Sequence, residues 1–250
     1  MRELEQLSPL TKEFVQWLES MVISPQDMEL PSVAFALMAT PSVKEALAYN
    51  WRTTKAFAKY HGRVIIRWAV TIPETAMPFL EAHEWGELYQ AEPLALYLYY
   101  VQGAPGIMLK NFPVATMGQQ AGLTNGTTVI LDSITLPEGA LDGAVVEDHV
   151  VTLRRGVKPL SINVRPILSA EVLERLLAHR PPLSLQSDRV VLPIRKMAQY
   201  TRKTELLSDH VAGKGYPSSV ELAGELPCEV AWANSDYKYQ GRTVKDDFLD

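Results

Sequence analysis

Apolar positions along the chain follow two periods, and the change between them divides the sequence. Residues 9–22 place Leu10, Phe14, Trp17, Leu18 and Met21 at spacings of three and four, which predicts an amphipathic helix with Ser8 as N-cap and Pro9 at its first position. The continuous apolar run 33–40 reads as a buried strand. Residues 41–62 return to the helical period, with Val43, Leu47, Trp51, Thr54 and Ala58 on one stripe and Gly62 as the stop. The β-branched run 63–72 predicts a strand. A polar, partly helical stretch covers 73–92. Residues 94–103 suit either a helix or a strand, and 103–111 a turn and then a strand.

After residue 122 the helical period gives way to short runs. Residues 127–136, 145–153, 160–167 and 189–197 read as strands, with a helical pattern only at 169–182. A buried strand returns at 225–236 and runs into the polar loop 237–243. The early helix–strand alternation is the grammar of a parallel α/β layer. The chain therefore reads as an α/β domain interrupted by a β-rich module and then resumed.

Composition narrows the options. The 250 residues are 47% hydrophobic and 21% charged, an ordinary globular balance with room for a sizeable core. No apolar run is long enough for a membrane-spanning helix, and the acidic start predicts no secretory signal. A net charge of −5 with 24 Lys and Arg residues argues against a basic whole surface but leaves room for a local cationic strip. Cys228 is the only cysteine, so there is neither an intrachain disulfide nor a CxxC metal site, and a reducing compartment fits. The five histidines show no metal-ligand spacing. The triplet Gly213-Lys214-Gly215 lacks the pattern of a phosphate-binding loop.

Two segments carry candidate chemistry. In the closing loop, Ser235-Asp236-Tyr237-Lys238-Tyr239-Gln240-Gly241-Arg242-Thr243, Lys238 can reach a phosphate as a point charge and Gly241 permits close backbone approach. Gln240, Arg242 and Thr243 can donate to phosphate oxygens. A solvated polar turn has the same composition. In the second segment, Asn125-Gly126 predicts a type I′ hairpin turn with both residues at positive φ. Upstream, Lys110-Asn111 closes an apolar strand.

Together these segments resemble PIF-type DNA helicases of superfamily one, relatives of RecD. The matching residues are Gly103, Pro105, Met108, Leu109 and Asn111, then Gly122, Leu123, Asn125, Gly126 and Thr127, and, after a β-rich stretch, Ala233, Ser235, Lys238, Gln240, Gly241 and Thr243 of helicase motif V. Tyr237, Asp236 and Tyr239 depart from the family's histidine, aliphatic and small residues. Asn50 matches the last asparagine of motif IV, with Thr40 and Glu45 as looser matches.

The resemblance covers roughly residues 25–250 and implies a slice from after motif III to just after motif V. It implies a helical connector (1–24), the first part of a second RecA-like domain (25–125), an inserted SH3-like β module (126–225) and a return strand carrying motif V (226–250). It further implies single-stranded DNA contacts from Lys238, Ser235, Tyr237, Thr243, Asn111 and Lys110, and an ATP cleft near Gln240, Gly241 and Arg242. Asn125 and Gly126 would form a structural turn. ATP and Mg2+ would be bound mainly by a preceding RecA-like domain, because no Walker A or Walker B element and no motif VI occurs in these residues. The parent would be a 5′-to-3′ DNA helicase of repair or recombination in the nucleus, mitochondrion or bacterial cytoplasm, and the isolated chain would hydrolyse no ATP. An ATP-independent nucleic-acid-binding remnant and an unrelated α+β interaction protein are the other two readings.

Overall fold

The computed structural model describes residues 35, 37–40, 42–72, 81–91, 94–111, 122–167, 171, 174, 190–195, 201–205, 219–223 and 225–235. The chain divides into two compact units, one of Met1–Ala36 with Lys245–Asp250 and one of Leu37–Val244. All described residues but Phe35 belong to the second. The helices expected at 9–22 and 169–182 lie outside the described residues, apart from Glu171 and Glu174.

The second unit is mixed α/β. It opens with strand β1 (Met38–Thr40), helix α1 (Val43–Tyr60) and strand β2 (Ile65–Ala69). Helix α2 (Ala82–Ala91) and strands β3 (Tyr97–Val101) and β4 (Pro105–Met108) follow. Next come β5 (Thr128–Thr135), β6 (Val145–Glu147), β7 (Val150–Thr152), β8 (Ser161–Pro166) and β9 (Leu192–Arg195). The last are β10 (Thr201–Glu205), β11 (Ser219–Ala223), β12 (Cys228–Val230) and β13 (Ala233–Ser235). The segment 94–103, which suited either element, is a strand.

Four sheets result. Strands run in the order β12-β4-β5-β8-β9 in one and β3-β2-β7-β6 in another, while β1 pairs with β13 and β10 with β11. The expected parallel sheet is present only in part. Among the described residues, parallel pairing is confined to β1–β13 and β2–β7, and every other ladder is antiparallel. The five-stranded sheet takes β4 from before residue 126, β5, β8 and β9 from the β-rich stretch, and β12 from after it.

The core of the five-stranded sheet is aliphatic. Val129 and Leu131 of β5, Ile162 and Val164 of β8 and Ile194 of β9 are buried, as period-two alternation requires. A register shift at Asp132 inserts one residue into β5. The bulge presents the Asp132 carboxylate to Arg165 at 3.1 Å and its carbonyl to the Tyr100 hydroxyl at 3.0 Å. In β4, Gly106 is enclosed: a Cβ there would stand 2.7 Å from Leu131 Cδ2 and 3.3 Å from the Glu229 carbonyl oxygen. Only a residue without a side chain fits so close between two neighbouring strands.

Two local expectations are corrected. Residues 145–153 form a hairpin and not one strand: β6 turns into β7 through Asp148-His149, where Asp148 takes a φ of +53°. Aspartate tolerates that left-handed conformation better than most residues. In α1 the buried residues are Ala46, Asn50, Thr53, Thr54 and Ala58, so the inward face is rotated from the predicted stripe and Val43 is 46% exposed. Of the polar members of that inner face, Asn50 bonds to the backbone of β13 and Thr54 to the Trp232 indole, as described below. Ser42 caps the helix, its Oγ accepting from the Glu45 N–H at 3.2 Å, and Gly62 follows it at φ +59°.

Candidate nucleic-acid interface

The closing loop departs from β13, and the fold fixes that strand firmly. β13 lies parallel to β1, with Met38 opposite Ala233 and Thr40 opposite Ser235, so both carboxyl ends emerge on one side, next to the N-terminus of α1. Ligands of open α/β sheets bind at such strand ends. The Thr40 hydroxyl is buried and lies 3.1 Å from the Ser42 carbonyl oxygen and 3.4 Å from that of Asn234.

Helix α1 holds β13 with its side chains. Asn50 Nδ2 donates to the Ala233 carbonyl at 2.9 Å, and the Ala233 N–H donates to Asn50 Oδ1 at 2.5 Å. One amide side chain thereby satisfies both backbone groups of a buried residue. One turn further on, the Trp232 indole N–H donates to Thr54 Oγ1 at 3.1 Å, and the Phe57 ring lies 5.0 Å from the Trp232 ring. A cleft of about 120 Å3 opens beside this joint, lined among others by Leu47, Asn50, Tyr99, Glu229 and Asn234.

The second predicted segment forms a closed turn. The Asn125 N–H donates to Asn111 Oδ1 at 2.7 Å, and the Gly126 N–H to the Met108 carbonyl at 2.6 Å. Thr127 Oγ1 donates to the Gly122 carbonyl at 3.1 Å. This is not the predicted type I′ hairpin turn. Gly126 has φ +85°, but Asn125 is not at positive φ, and β4 reaches β5 through a connection far longer than two residues. The Asn-Gly pair closes the end of that connection onto β4. Asn111 is therefore engaged with backbone, and Lys110 beside it is half-buried.

Of the motif-V residues, Ser235 is placed only by its backbone in β13. Tyr237, Lys238, Gln240, Gly241, Arg242 and Thr243 lie outside the described residues. Among the described residues no group of His, Cys, Asp and Glu could hold a metal ion, and no helix is long and apolar enough to cross a membrane. Cys228 is a buried free thiol whose pKa burial pushes well up, which makes it inert. Burial also raises the phenol pKa of Tyr100, with the Asp132 charge adding to it, and that of Tyr89, which Arg155 partly offsets.

Solved structures similar to this chain include Pif1 helicases. The crystal structure of Pif1 helicase from Candida albicans is 16% identical, with a TM-score of 0.42 over 93% of this chain and 42% of its own. Pif1 of Bacteroides sp in complex with ADP-AlF4 is 16% identical, at 0.34 over 93% of this chain and 37% of its own. Bacteroides Pif1 bound to ssDNA is 16% identical, at 0.29 over 78% and 31%. This chain thus spans about two fifths or less of these helicases. No family model and no curated protein matches it.

The sequence reading included Asn50 as a motif match and Thr54 on the helix stripe, but missed Trp232 and its bond to Thr54. A buried Asn and two Thr on the inner face of a helix are the available signal: polar residues within a helical core stripe need partners, which the Ala233 backbone supplies to Asn50 and the Trp232 indole to Thr54.

Proposed function

We propose that the chain is the part of an ATP-dependent DNA helicase that spans the second RecA-like domain, and that it contributes single-stranded DNA binding. The observation that carries this reading is the parallel pairing of β1 with β13. It joins the first described strand to the strand leading into the motif-V-like loop, with the β-rich stretch between them in sequence. That is the topology which the resemblance implies, and a continuous antiparallel sheet would have contradicted it.

In this reading Lys238 binds a DNA phosphate, and Ser235, Tyr237 and Thr243 line the strand. Gln240, Gly241 and Arg242 face an ATP cleft completed by a preceding RecA-like domain. Phosphoryl transfer needs a phosphate cradle and a carboxylate-held metal. In this reading both are supplied mainly by the preceding RecA-like domain. The segment 126–225 is read as the SH3-like insertion that covers the strand; its β5, β8 and β9 pair antiparallel, in one sheet with β4 and β12 from outside the segment.

Fluorescence anisotropy of a labelled single-stranded oligonucleotide across a salt series tests the proposal. The expected result is binding that weakens steadily with salt, because phosphate contacts release counterions, and that falls in Lys238→Ala. Folded protein that binds no strand at low salt would overturn it.

A further inference from the structure

The charges of this unit are strongly segregated. Between Lys44 and Arg67 the cations are Lys44, Arg52, Lys55, Lys59, Arg63 and Arg67, against Glu45 alone. From Trp68 to Leu153, every Asp, Glu, Lys and Arg except Lys110 is acidic. A chain of net negative charge therefore carries a concentrated cationic stretch, and most of it belongs to α1.

The helix divides its two faces by task. Asn50 points inward to the backbone of Ala233. At 100° per residue, Arg52, Lys55 and Lys59 lie on the opposite face in one row, about 10 Å long. All three are exposed, and among the described residues none of them forms an ion pair with a carboxylate. Aromatic rings flank the row. Arg52 stands 5.4 Å from the Tyr49 ring centroid and Lys55 5.5 Å from that of Trp51, geometries that hold cations over ring faces. Tyr60 is 63% exposed at the edge of the row, set edge-on to His61 at 4.8 Å. Just past the helix, Arg63 reaches out and donates to Gln102 at 2.8 Å.

A cationic row with an exposed aromatic at its margin has the two components of a single-strand contact: charge for the backbone and a ring for a base. We propose that the outer face of α1 is a second nucleic-acid contact, separate from the 236–243 loop, in which Arg52, Lys55 and Lys59 bind successive phosphates and Tyr60 stacks on a base. The inference rests on the nucleic-acid reading above and adds a surface to it. Because the inner face of the same helix fixes β13, a strand held on α1 is tied mechanically to the origin of the motif-V-like loop.

The test measures binding of the full chain to a labelled thymidine oligonucleotide across a salt series. The variants are R52Q/K55Q/K59Q, Tyr60→Ala and Lys238→Ala, with circular dichroism to verify that helicity is kept; glutamine is a good helix former. The triple variant is expected to reduce the salt slope by about 2, at roughly 0.7 per lost phosphate contact on a single strand. Tyr60→Ala is expected to weaken binding roughly fivefold or more with the slope unchanged, as loss of stacking does. A triple variant that keeps the wild-type slope while Lys238→Ala weakens binding sinks this inference and leaves the nucleic-acid reading standing. No binding by the wild-type chain sinks both. Equal competition by inorganic polyphosphate, with Tyr60→Ala silent, reduces the face to a general anion surface and also overturns the proposal.

Discussion

The five-stranded sheet and the α1–β13 joint are held by opposite means. In the sheet, Val129, Leu131, Ile162, Val164 and Ile194 meet as aliphatic surfaces, and the attraction there is non-directional and scales with the area removed from water. At the joint, Asn50 and Thr54 meet the backbone of Ala233 and the indole of Trp232 through directed hydrogen bonds. Such bonds add little net stability each but cost much when one partner is lost. The sheet should therefore tolerate a change of shape at constant volume, whereas the joint should tolerate almost no change of chemistry.

The largest expected effect probes the sheet. Leu131→Ala should cost about 4 kcal/mol, read as a fall in the urea midpoint at constant m, because a fully buried leucine leaves a cavity when truncated. Leu131→Met should cost roughly 1 kcal/mol, as volume-conserving swaps do. At the joint, Asn50→Ala should cost about 3 kcal/mol, since it strands both the N–H and the carbonyl of Ala233 in a buried site. Asn50→Asp, nearly identical in size, should be no better, because a carboxylate cannot donate to the Ala233 carbonyl and carries a buried charge. An Asn50→Asp protein of wild-type stability would break the contrast between the two regions. Thr54→Val should cost about 1 kcal/mol through the lost acceptor for Trp232.

The smallest effect near neutrality concerns pH. Burial raises the pKa of Cys228, Tyr100 and Tyr89, so the folded state favours their neutral forms. The stability they contribute is complete below the ordinary values, about 8.5 for a thiol and about 10 for a phenol, and is lost as pH rises from there towards the raised folded values. Urea midpoints recorded from pH 7 to 10 should stay flat at first and then fall. Cys228→Ser should flatten the early part of that fall.

The two regions also differ in how far the sequence reveals them. Period-two alternation marks β5 and β8 and continuous apolar runs mark β2 and β12, because burial on a known period is a local property. The Asn50–Ala233 bonds join residues 183 positions apart, and no local pattern announces them. The predicted stripe of α1 held at Thr54 and Ala58 but not at Val43, Leu47 and Trp51, because an amphipathic count treats Asn50 as an outward position, yet its bonds to Ala233 turn it inward. The β6–β7 hairpin was hidden by the Val-rich ends of 145–153, whose acidic centre supplies the turn. For the candidate interface, Asn50 and the start of the closing loop at Ser235 were legible, whereas the pairing that aligns Ser235 with Thr40 was not. The sequence left room for a cationic strip without placing it, and locating the row on α1 opposite Asn50 needed the helix's observed orientation.

The pairing of β1 with β13 also sets an order of events during synthesis. Thr40 finds its bonding partner Asn234 across 194 positions of chain, so β1 leaves the ribosome long before the strand that completes it. Until then the amino end of α1 projects from a two-stranded sheet that lacks its second strand, and the inward Asn50 and Thr54 have only water to bond. Joining such distant segments is a slow step. The closing loop therefore acquires its origin at Ser235 only in the late event that pairs β13 with β1.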